Sequence, residues 1–458
     1  MNLLDNLADR HERLHRRHAA SFAGHAKSKV VIEGDPAFLR SRTGQIAWAL
    51  TINLLARLYK GIEEFRLVID PGIERLSHVL IPNKETNLRL ASLHLLADLN
   101  PNHYRIAEGY PEGDAPEWVF VRIGGAARMD GRSIAIGANG WRVFLNDDRW
   151  RGLEPDDNPL GAIIAACLGT AAVYKLLYPL RDASSYTSLV FSAYDHRIGL
   201  DGPNPAFGPF DLPKSYVAGA GAVGMAFLYT LGSAATIRSS GGVHLADHDV
   251  LDDTNLNRCI LAILTDITRL KIDVLEQWLS DPNLGLRTYP DQWQAFVERP
   301  EHSDPKNYEW VVSCVDKYEG RRAVQYDRLP RVLLTAGTND FLLSVSRHVL
   351  NDGLACGLCH QARAPVACSK ASDGAAEAFE EEPDPSIGFV SVLAGALLCA
   401  EYLKAVVPVF ADGAVKNAVR VNTLLFKARR AARTKDLQCG CSSKFVAAGY
   451  SRTWPTAG

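Results

Sequence analysis

The 458-residue sequence predicts an α/β chain made of two Rossmann-like halves in tandem, the N-terminal one degenerate. Three observations carry this expectation. Residues Lys214 to Asp247 read as an apolar strand, a glycine turn (GAGAVG), a helix from Met225 to Ala235, and a second strand (VHLAD) ending in an acid. Lys29 to Asp70 repeats that order, with strand KVVIEG, a helix from Gln45 to Tyr59 and strand FRLVID, but its loop DPAFLRSRTG lacks the glycine spacing. Lastly, Pro159 precedes by ten residues Gly169 of the apolar helix AACLGTAAVYKLL, and Pro385 precedes Gly395 of SVLAGALLCAEYLK by the same interval. Duplication accounts for both echoes; the competing reading is that α/β proteins repeat strand–helix–strand units anyway.

Taken in order, residues 1–28 form a charged amphipathic helical arm without the apolar core of an export signal. The degenerate half spans 29–200. The stretch 201–213 (DGPNPAFGPFDLP), dense in Pro and Gly, is a linker, and the second half occupies 214–441. Residues 371–385 (ASDGAAEAFEEEPDP) read as an acidic solvated loop, and 442–458 as a tail. The length implies two or three domains. With 47% hydrophobic and 22% charged residues and a formal charge of -2, nothing global points to nucleic acid or an anionic membrane as partner. No apolar run is expected to reach the roughly 18 to 20 residues of a membrane helix. Nine cysteines, an odd number spread along a long chain, argue for a reducing, cytoplasmic compartment in which some thiols bind metal or react.

Gly219, Gly221 and Gly224 supply a tight turn, close backbone approach to a phosphate, and close helix–strand packing. Asp247, at the next strand end, is placed to accept hydrogen bonds from ribose hydroxyls. So far the pattern fits NAD as well as ATP. Beyond it come Asp249, then DDTNLNR with Asn255 and Arg258, then Lys271, and then WVVSCVD ending at Asp316 with Arg321 after it. Arg258 and Lys271 offer two cations for a triphosphate and the acids suit Mg²⁺, which transfer of a nucleotidyl group needs and hydride transfer does not. Singly, a strand-end Asp is a helix cap and a helical Arg or Lys a solvated face. As an ordered set they point to a nucleotide triphosphate.

GAGAVG, LADHDVLDDTNLNR, RLKIDVL and SCVDKYEGR, in this order, resemble the ubiquitin-activating superfamily, which includes the adenylyltransferases of sulfur carriers. The resemblance is specific over residues 214–441. It implies two adenylation-type folds in a pseudo-dimer, the first inactive, with ATP and Mg²⁺ at the second. In that pattern Asp247 holds the ribose, Asn255, Arg258 and Lys271 contact phosphates, and Asp316 organises Mg²⁺. An arginine from the partner half is also implied, with Arg10, Arg13, Arg16 and Arg17 in the right relative place. One departure is Cys259, where the family usually has Gln after NLNR. The implied substrate is the C-terminal carboxylate of a ubiquitin-like protein, passed on to a conjugating enzyme. No insertion follows Asp316 and 17 residues follow Cys441, so the resemblance is to a compact, bacterial version, of a kind found in antiviral systems. The alternatives are a sulfur-carrier adenylyltransferase, an NAD-dependent oxidoreductase, and a scaffold.

Cys356 and Cys359 (CGLC) with Cys439 and Cys441 (CGC) suit a closed, tetrahedral, structural Zn²⁺ site. The family has CxxC twice, so CGC is a second departure. Cys368 lies in the segment 360–386 that the resemblance makes a crossover loop, whose cysteine takes the activated protein as a thioester. Cys167, Cys399 and Cys314 are expected in the core.

Overall fold

The computed structural model describes residues 3–19, 28–101, 103–113, 117–126, 132–151, 153, 156–178, 180–181, 183, 188–199, 202–279, 283–359 and 387–455. In the N-terminal half the elements are α1 (Leu3–His18), β1 (Ser28–Gly34), α2 (Pro36–Leu39), α3 (Arg42–Ala56), β2 (Ile62–Val68) and α4 (Leu88–Asp98). They continue with β3 (Arg105–Glu108), β4 (Trp118–Ile123), β5 (Ser133–Asn139), β6 (Arg142–Leu145), α5 (Pro159–Leu177) and β7 (Leu189–Ser192). The second half runs β8 (Phe210–Asp211), β9 (Ser215–Ala218), α6 (Ala222–Gly232), β10 (Ile237–Arg238), β11 (Val243–Ala246), α7 (Lys271–Trp278), β12 (Leu286–Tyr289) and α8 (Trp293–Val297). It ends with β13 (Trp310–Ser313), α9 (Tyr318–Tyr326), β14 (Val332–Asn339), β15 (Leu342–His348), α10 (Gly388–Val406), β16 (Ala418–Asn422), β17 (Lys427–Ala431) and α11 (Lys444–Thr453).

The two large sheets have the same plan. One is ordered β3-β2-β1-β4-β5-β6-β7, the other β12-β11-β9-β13-β14-β15-β16-β17. In each, the first five strands in chain order are parallel and the following ones antiparallel. The order reverses between β1 and β4 in the first sheet and between β9 and β13 in the second. A crevice at the carboxyl ends of such a strand pair is where α/β sheets bind ligands. The strands follow from sequence: β1 is a Val/Ile run whose Val30, Val31 and Ile32 are fully buried, as a strand covered on both faces requires.

Helices α5 and α10 correct one expectation. Each is 19 residues long, with mean hydropathy 1.8 and 1.7, so both are long and apolar enough to cross a membrane. Their apolar surface is used inside the protein, 89% buried in each. Helix α5 packs on α3, α10 packs on α6, and α5 and α10 pack on each other. The paired glycines serve different neighbours. A Cβ on Gly395 would stand 2.5 Å from Ala226 Cβ of α6, whereas one on Gly169 would stand 2.3 Å from Ile136 of the sheet.

The linker and tail are also built in. Phe207 and Phe210 pack their rings on Phe410, and β8 pairs with β10. The residues after Cys441 form α11, whose Tyr450 donates to the Arg331 carbonyl (2.9 Å). Between the halves lies a buried charge cluster. Glu401 of α10 meets His196 (3.2 Å) and Lys404, and Lys404 donates to the carbonyls of Ala193 (3.1 Å) and Tyr194 (2.9 Å).

Candidate active site

Strand β9 is followed at once by Gly219, whose φ of +96° is a conformation that favours glycine. A Cβ on Gly224 would fall 2.0 Å from the Gly219 carbonyl oxygen, so that position admits no side chain. A Cβ on Gly221 would meet nothing within 4 Å. The three glycines thus divide the roles expected of them: turn, open approach, close packing. Gly221 is also the N-cap of α6, and no side chain caps that helix. Its leading amides and the positive end of its dipole are left for an anion.

The corresponding place in the first half is closed. Helix α2 fills the loop after β1, capped by Asp35, and Ser41 Oγ accepts from Gly44 N (3.0 Å) at the start of α3. A Cβ on Gly44 would fall 2.0 Å from the Phe38 carbonyl oxygen, the contact Gly224 makes in the other half. The packing glycine is kept and the phosphate-binding amides are consumed by side chains. This is the physical meaning of degenerate here.

Asp247 is buried, and its two oxygens accept from Ala220 N (2.6 Å) and Asp249 N (2.8 Å), which fixes the glycine turn to the end of β11. Burial pushes its pKa up, against the pull of those amides and of Lys271. Lys271, at the start of α7, pairs with Asp249 at 2.8 Å. Burial works against the Lys271 ammonium, but the hydrogen bond to Asp249 and the charges of Asp247 and Asp249 outweigh it, and its pKa is raised. Asn255 is buried at the end of a short turn (Asp253–Asn255), where its Nδ2 donates to Asp252 (2.7 Å). Arg258 is held by the Thr254 carbonyl (2.6 Å) and the Asn257 side chain (2.9 Å). Burial lowers its pKa, while Cys259, Asp252 and Asp316 raise it. Asp316, exposed just beyond β13, acts electrostatically on both Arg258 and Arg321. All the nucleotide-site residues read from the sequence therefore gather at the β9/β13 switch point. Cys259 is buried, its thiol pushed up by burial, and its neighbours include Arg258, Lys271 and Arg57.

Arg57 was not singled out from the sequence. This side chain, on the residue that caps the C-terminus of α3 in the first half, is 1% exposed. It donates to Asn53 Oδ1 (2.6 Å) and to the carbonyls of Leu256, Ile260 (3.2 Å) and Ala262 (2.8 Å), while Asn53 donates to Ile260 as well (2.8 Å). The inactive half thus grips the loop that carries Asn255 and Arg258. Helix α1 adds a second grip: it packs on Asp253–Asn255, and Asn6 donates to Asp253 (2.5 Å). Lys60 ties α1 down through Asp5 (2.8 Å). Of the four arm arginines, Arg17 pairs with Asp340 (3.2 Å), Arg13 is half-buried and Arg16 exposed; the side chain of Arg10 lies outside the described residues.

The four zinc-site cysteines come together from two distant loops. Four sulfurs about 2.3 Å from a tetrahedral Zn²⁺ stand about 3.8 Å apart. Here the Cys356–Cys439 and Cys359–Cys441 pairs are each 3.6 Å apart, and all four Sγ atoms lie within 4.8 Å of one another. Donors surround them: Gln325 Nε2 and Leu358 N point at Cys356 Sγ (3.2 and 3.4 Å), and Asp436 N at Cys359 Sγ (3.4 Å). The residues fit a structural zinc, CGC included. Cys167 and Cys399 are core residues, Cys314 is half-buried, and Cys368 lies outside the described residues with the whole of 360–386.

Comparison with known proteins follows this division. Residues 213–443 match the ThiF family, and residues 29–185 match the BilD N-terminal domain. The chain is 27% identical over 343 residues to the uncharacterized protein y4jF of Sinorhizobium fredii, covering 73% of this chain and 60% of that protein. It is also 27% identical over 117 residues to the adenylyltransferase and sulfurtransferase UBA4 of Meyerozyma guilliermondii, covering 24% of each. The chain therefore spans less than two thirds of the length of these relatives. The family match covers half of the chain and coincides with the half whose helix N-terminus is open. The chain belongs to the ThiF family, and through it to the ubiquitin-activating superfamily.

Proposed function

We propose that this protein uses ATP to adenylate the C-terminal carboxylate of a ubiquitin-like protein. The observation that carries the reading is the uncapped Gly219–Gly224 turn, tied to Asp247 on which Lys271 acts, with Asp316 acting on Arg258. A substrate carboxylate oxygen attacks the α-phosphorus, the bond from that phosphorus to the bridging oxygen breaks, and pyrophosphate leaves. No protein base is needed, since the carboxylate is already ionised at neutral pH. Arg258, Lys271 and the α6 amides would align and neutralise the phosphates. Asp316 would hold Mg²⁺, which when bound neutralises charge developing on the leaving pyrophosphate.

In the same proposal a Cys368 thiolate then attacks the adenylate carbonyl, AMP leaves, and the thioester is handed to a conjugating enzyme. The setting would be a bacterial cytoplasm, in an antiviral conjugation system. A BilD-type N-terminal domain joined to a ThiF domain supports a two-half activating enzyme. The second reading is a sulfur-carrier adenylyltransferase, favoured by the match to a protein named adenylyltransferase and sulfurtransferase.

ATP–pyrophosphate exchange with small proteins ending in a free glycine tests the first step, for wild type and Asp316→Ala. A non-reducing gel for wild type and Cys368→Ala tests the second. Exchange lost in Asp316→Ala, with a reducible adduct lost in Cys368→Ala, is the expected result. Exchange without an adduct, with thiocarboxylate on the partner by mass spectrometry, would move the assignment to the sulfur-carrier reading.

A further inference from the structure

The C-terminal sheet has one face under α10; on the other, Leu333 is buried against α8 and α9, and the neighbouring positions of β14, β15 and β16 line a cavity. Pairing sets Thr335 beside Ser346, and Gly337 beside Ser344, with Ser344 next to Arg420. The alternate residues Leu334, Leu343, Val345 and Val419 are buried in the core, so this hydroxyl- and glycine-lined face is the one turned away from it. Between it and the loop Ala355–Cys359 lies a cavity of about 200 Å³. Arg321, Arg420 and Arg433 all line this cavity, and among the described residues no carboxylate does.

The three arginines are differently held. Arg321 Nε donates to the carbonyl of Val315 (2.8 Å), the residue before Asp316, and its Nη2 lies 3.3 Å from where a Cβ on Gly337 would be. Arg433 is half-buried, and the charge acting on it is that of Arg420, a like charge. Among the described residues, neither the Arg420 nor the Arg433 guanidinium has an ion pair or side-chain hydrogen bond. His348 in the same wall donates or accepts at Ala355 O (2.8 Å) and Ser346 Oγ (3.0 Å), and burial lowers its pKa to about 4, so it is neutral near pH 7. Cys356 and Cys359 border the cavity too. Their sulfurs take hydrogen bonds from Gln325, Leu358 and Asp436, not from these arginines.

Arg321 and Arg433 are half-buried and Arg420 is exposed at the rim; like charges converging on one wall repel, and an anionic ligand relieves that repulsion. Planar guanidiniums bind carboxylates in bidentate fashion. The volume is below the roughly 300 Å³ where small-molecule pockets begin, so it suits a side chain better than a cofactor. Arg321, which lines the cavity, is anchored at Val315 beside Asp316, so a chain whose terminal carboxylate reaches Asp316 and Arg258 has Arg321 as a neighbour.

We propose that this cavity receives a glutamate or aspartate side chain of the protein substrate, placed a few residues before the carboxylate to be activated, so that Arg420 and Arg433 select substrates with an acidic tail. The proposal rests on the adenylation reading for the direction of that tail. The strand face of small residues leaves room for an extended backbone, and the arginines supply the choice among partners.

The test uses the full chain, loaded with zinc, and fluorescein-labelled peptides ending in Gly-Gly. One glutamate is walked along the preceding residues and compared with the all-glutamine parent by fluorescence anisotropy. Wild type is expected to bind one glutamate peptide at least about tenfold more tightly than the parent, as a charge-assisted hydrogen bond of about 1.5 kcal/mol requires. Arg420→Gln and Arg433→Gln should each reduce that preference, and the double variant should abolish it while keeping its zinc. Equal affinity for all peptides, or a preference unchanged in the double variant, overturns the proposal. So does loss of zinc in the variants with no change in preference, which would make the arginines partners of the thiolates. Inorganic phosphate that binds this site, while no glutamate peptide is preferred over the parent, would show a free-anion site and likewise overturn it. ATP titrated into the same preparations separates the two claims: failure to bind ATP contradicts the adenylation reading, whatever the peptides show.

Discussion

Arg57 joins an apolar helix of one half to the phosphate-side loop of the other, and protein acceptors take up four of its five guanidinium N–H groups. Replacing it with Met leaves the carbonyls of Leu256 and Ala262 and the Asn53 amide oxygen without this donor, at about 1–3 kcal/mol for each that cannot relax, while the Ile260 carbonyl keeps its bond from Asn53. Arg57→Met should therefore unfold in urea at least about 3 kcal/mol more easily and bind ATP more weakly. Arg57→Lys, with fewer donors, should fall between; an unaltered urea midpoint in Arg57→Met would sink this account of the loop. Two glycines make a sharper pair. A methyl on Gly221 enters open space at a φ of -65° and should cost the fold no more than about 1 kcal/mol, yet it stands where a phosphate must approach. A methyl on Gly224 collides with backbone and should lower stability by about 1–3 kcal/mol. Thermal melts beside ATP titrations distinguish these outcomes.

The buried cluster of His196, Glu401 and Lys404 makes a prediction about acid. Burial first, then the Lys404 charge, depresses the His196 pKa from 6.5 to about 4, so the unfolded chain binds the proton first and stability falls as pH drops across that window. Glu401 resists burial through Lys404 and His196, which hold its pKa at about 2 against 4.5 unfolded, so further stability is lost below 4.5. The melting temperature of the wild type should begin to fall near pH 6.5. If His196→Gln follows the same curve between pH 6.5 and 4.5 as wild type, the histidine contributes nothing there.

Among the elements, α9 has the most consequential position. Its start lies two residues after Asp316, and its last residues, Gln325 and Tyr326, reach the sulfurs of Cys356 and Cys439. The metal site and Asp316 are therefore fixed by one short helix. Chelation, or Cys356→Ser, should lower the melting temperature and weaken ATP binding together, and Zn²⁺ but not Mg²⁺ should restore the chelated protein. An unchanged melt after metal removal would contradict the structural role. Helix α6 shows how much could be read from residues alone. Glycine spacing, strand and terminal Asp247 carry their geometry in local sequence, so they were legible. Arg57 and Asn6 were not, because their partners lie about 200 residues away or more, and only folding brings them together. The signal for Arg57 existed: a cation directly after the apolar run of α3, which burial obliges to find acceptors. The acceptors themselves carried no such mark, being backbone carbonyls.

At the scale of the whole molecule, the duplication legible as two weak echoes is a repeated sheet plan, the seven strands of the first sheet recurring in order in the second, which adds β17. The membrane-length reading failed for an equally physical reason. Helices α5 and α10 are apolar on all sides because each is enclosed by its own sheet, its own neighbouring helix and the other half. The N-terminal half has lost its open helix end but holds the loop of the working half, so the two are one folding and binding unit. A chain starting at residue 201 lacks α1, Asn53 and Arg57 and should neither melt cooperatively nor bind ATP. Cooperative melting with intact ATP affinity in that fragment would refute the dependence.

Equilibrium titration of ATP with Mg²⁺ into the full chain, for wild type, Gly221→Ala and Ser41→Ala, is the most direct measurement of the central claim. One ATP per chain in wild type, at least about tenfold weaker in Gly221→Ala and unchanged in Ser41→Ala, is the result expected of one open and one closed helix end. Two sites per chain, or affinity that survives Gly221→Ala but not Ser41→Ala, would contradict the assignment of the active half.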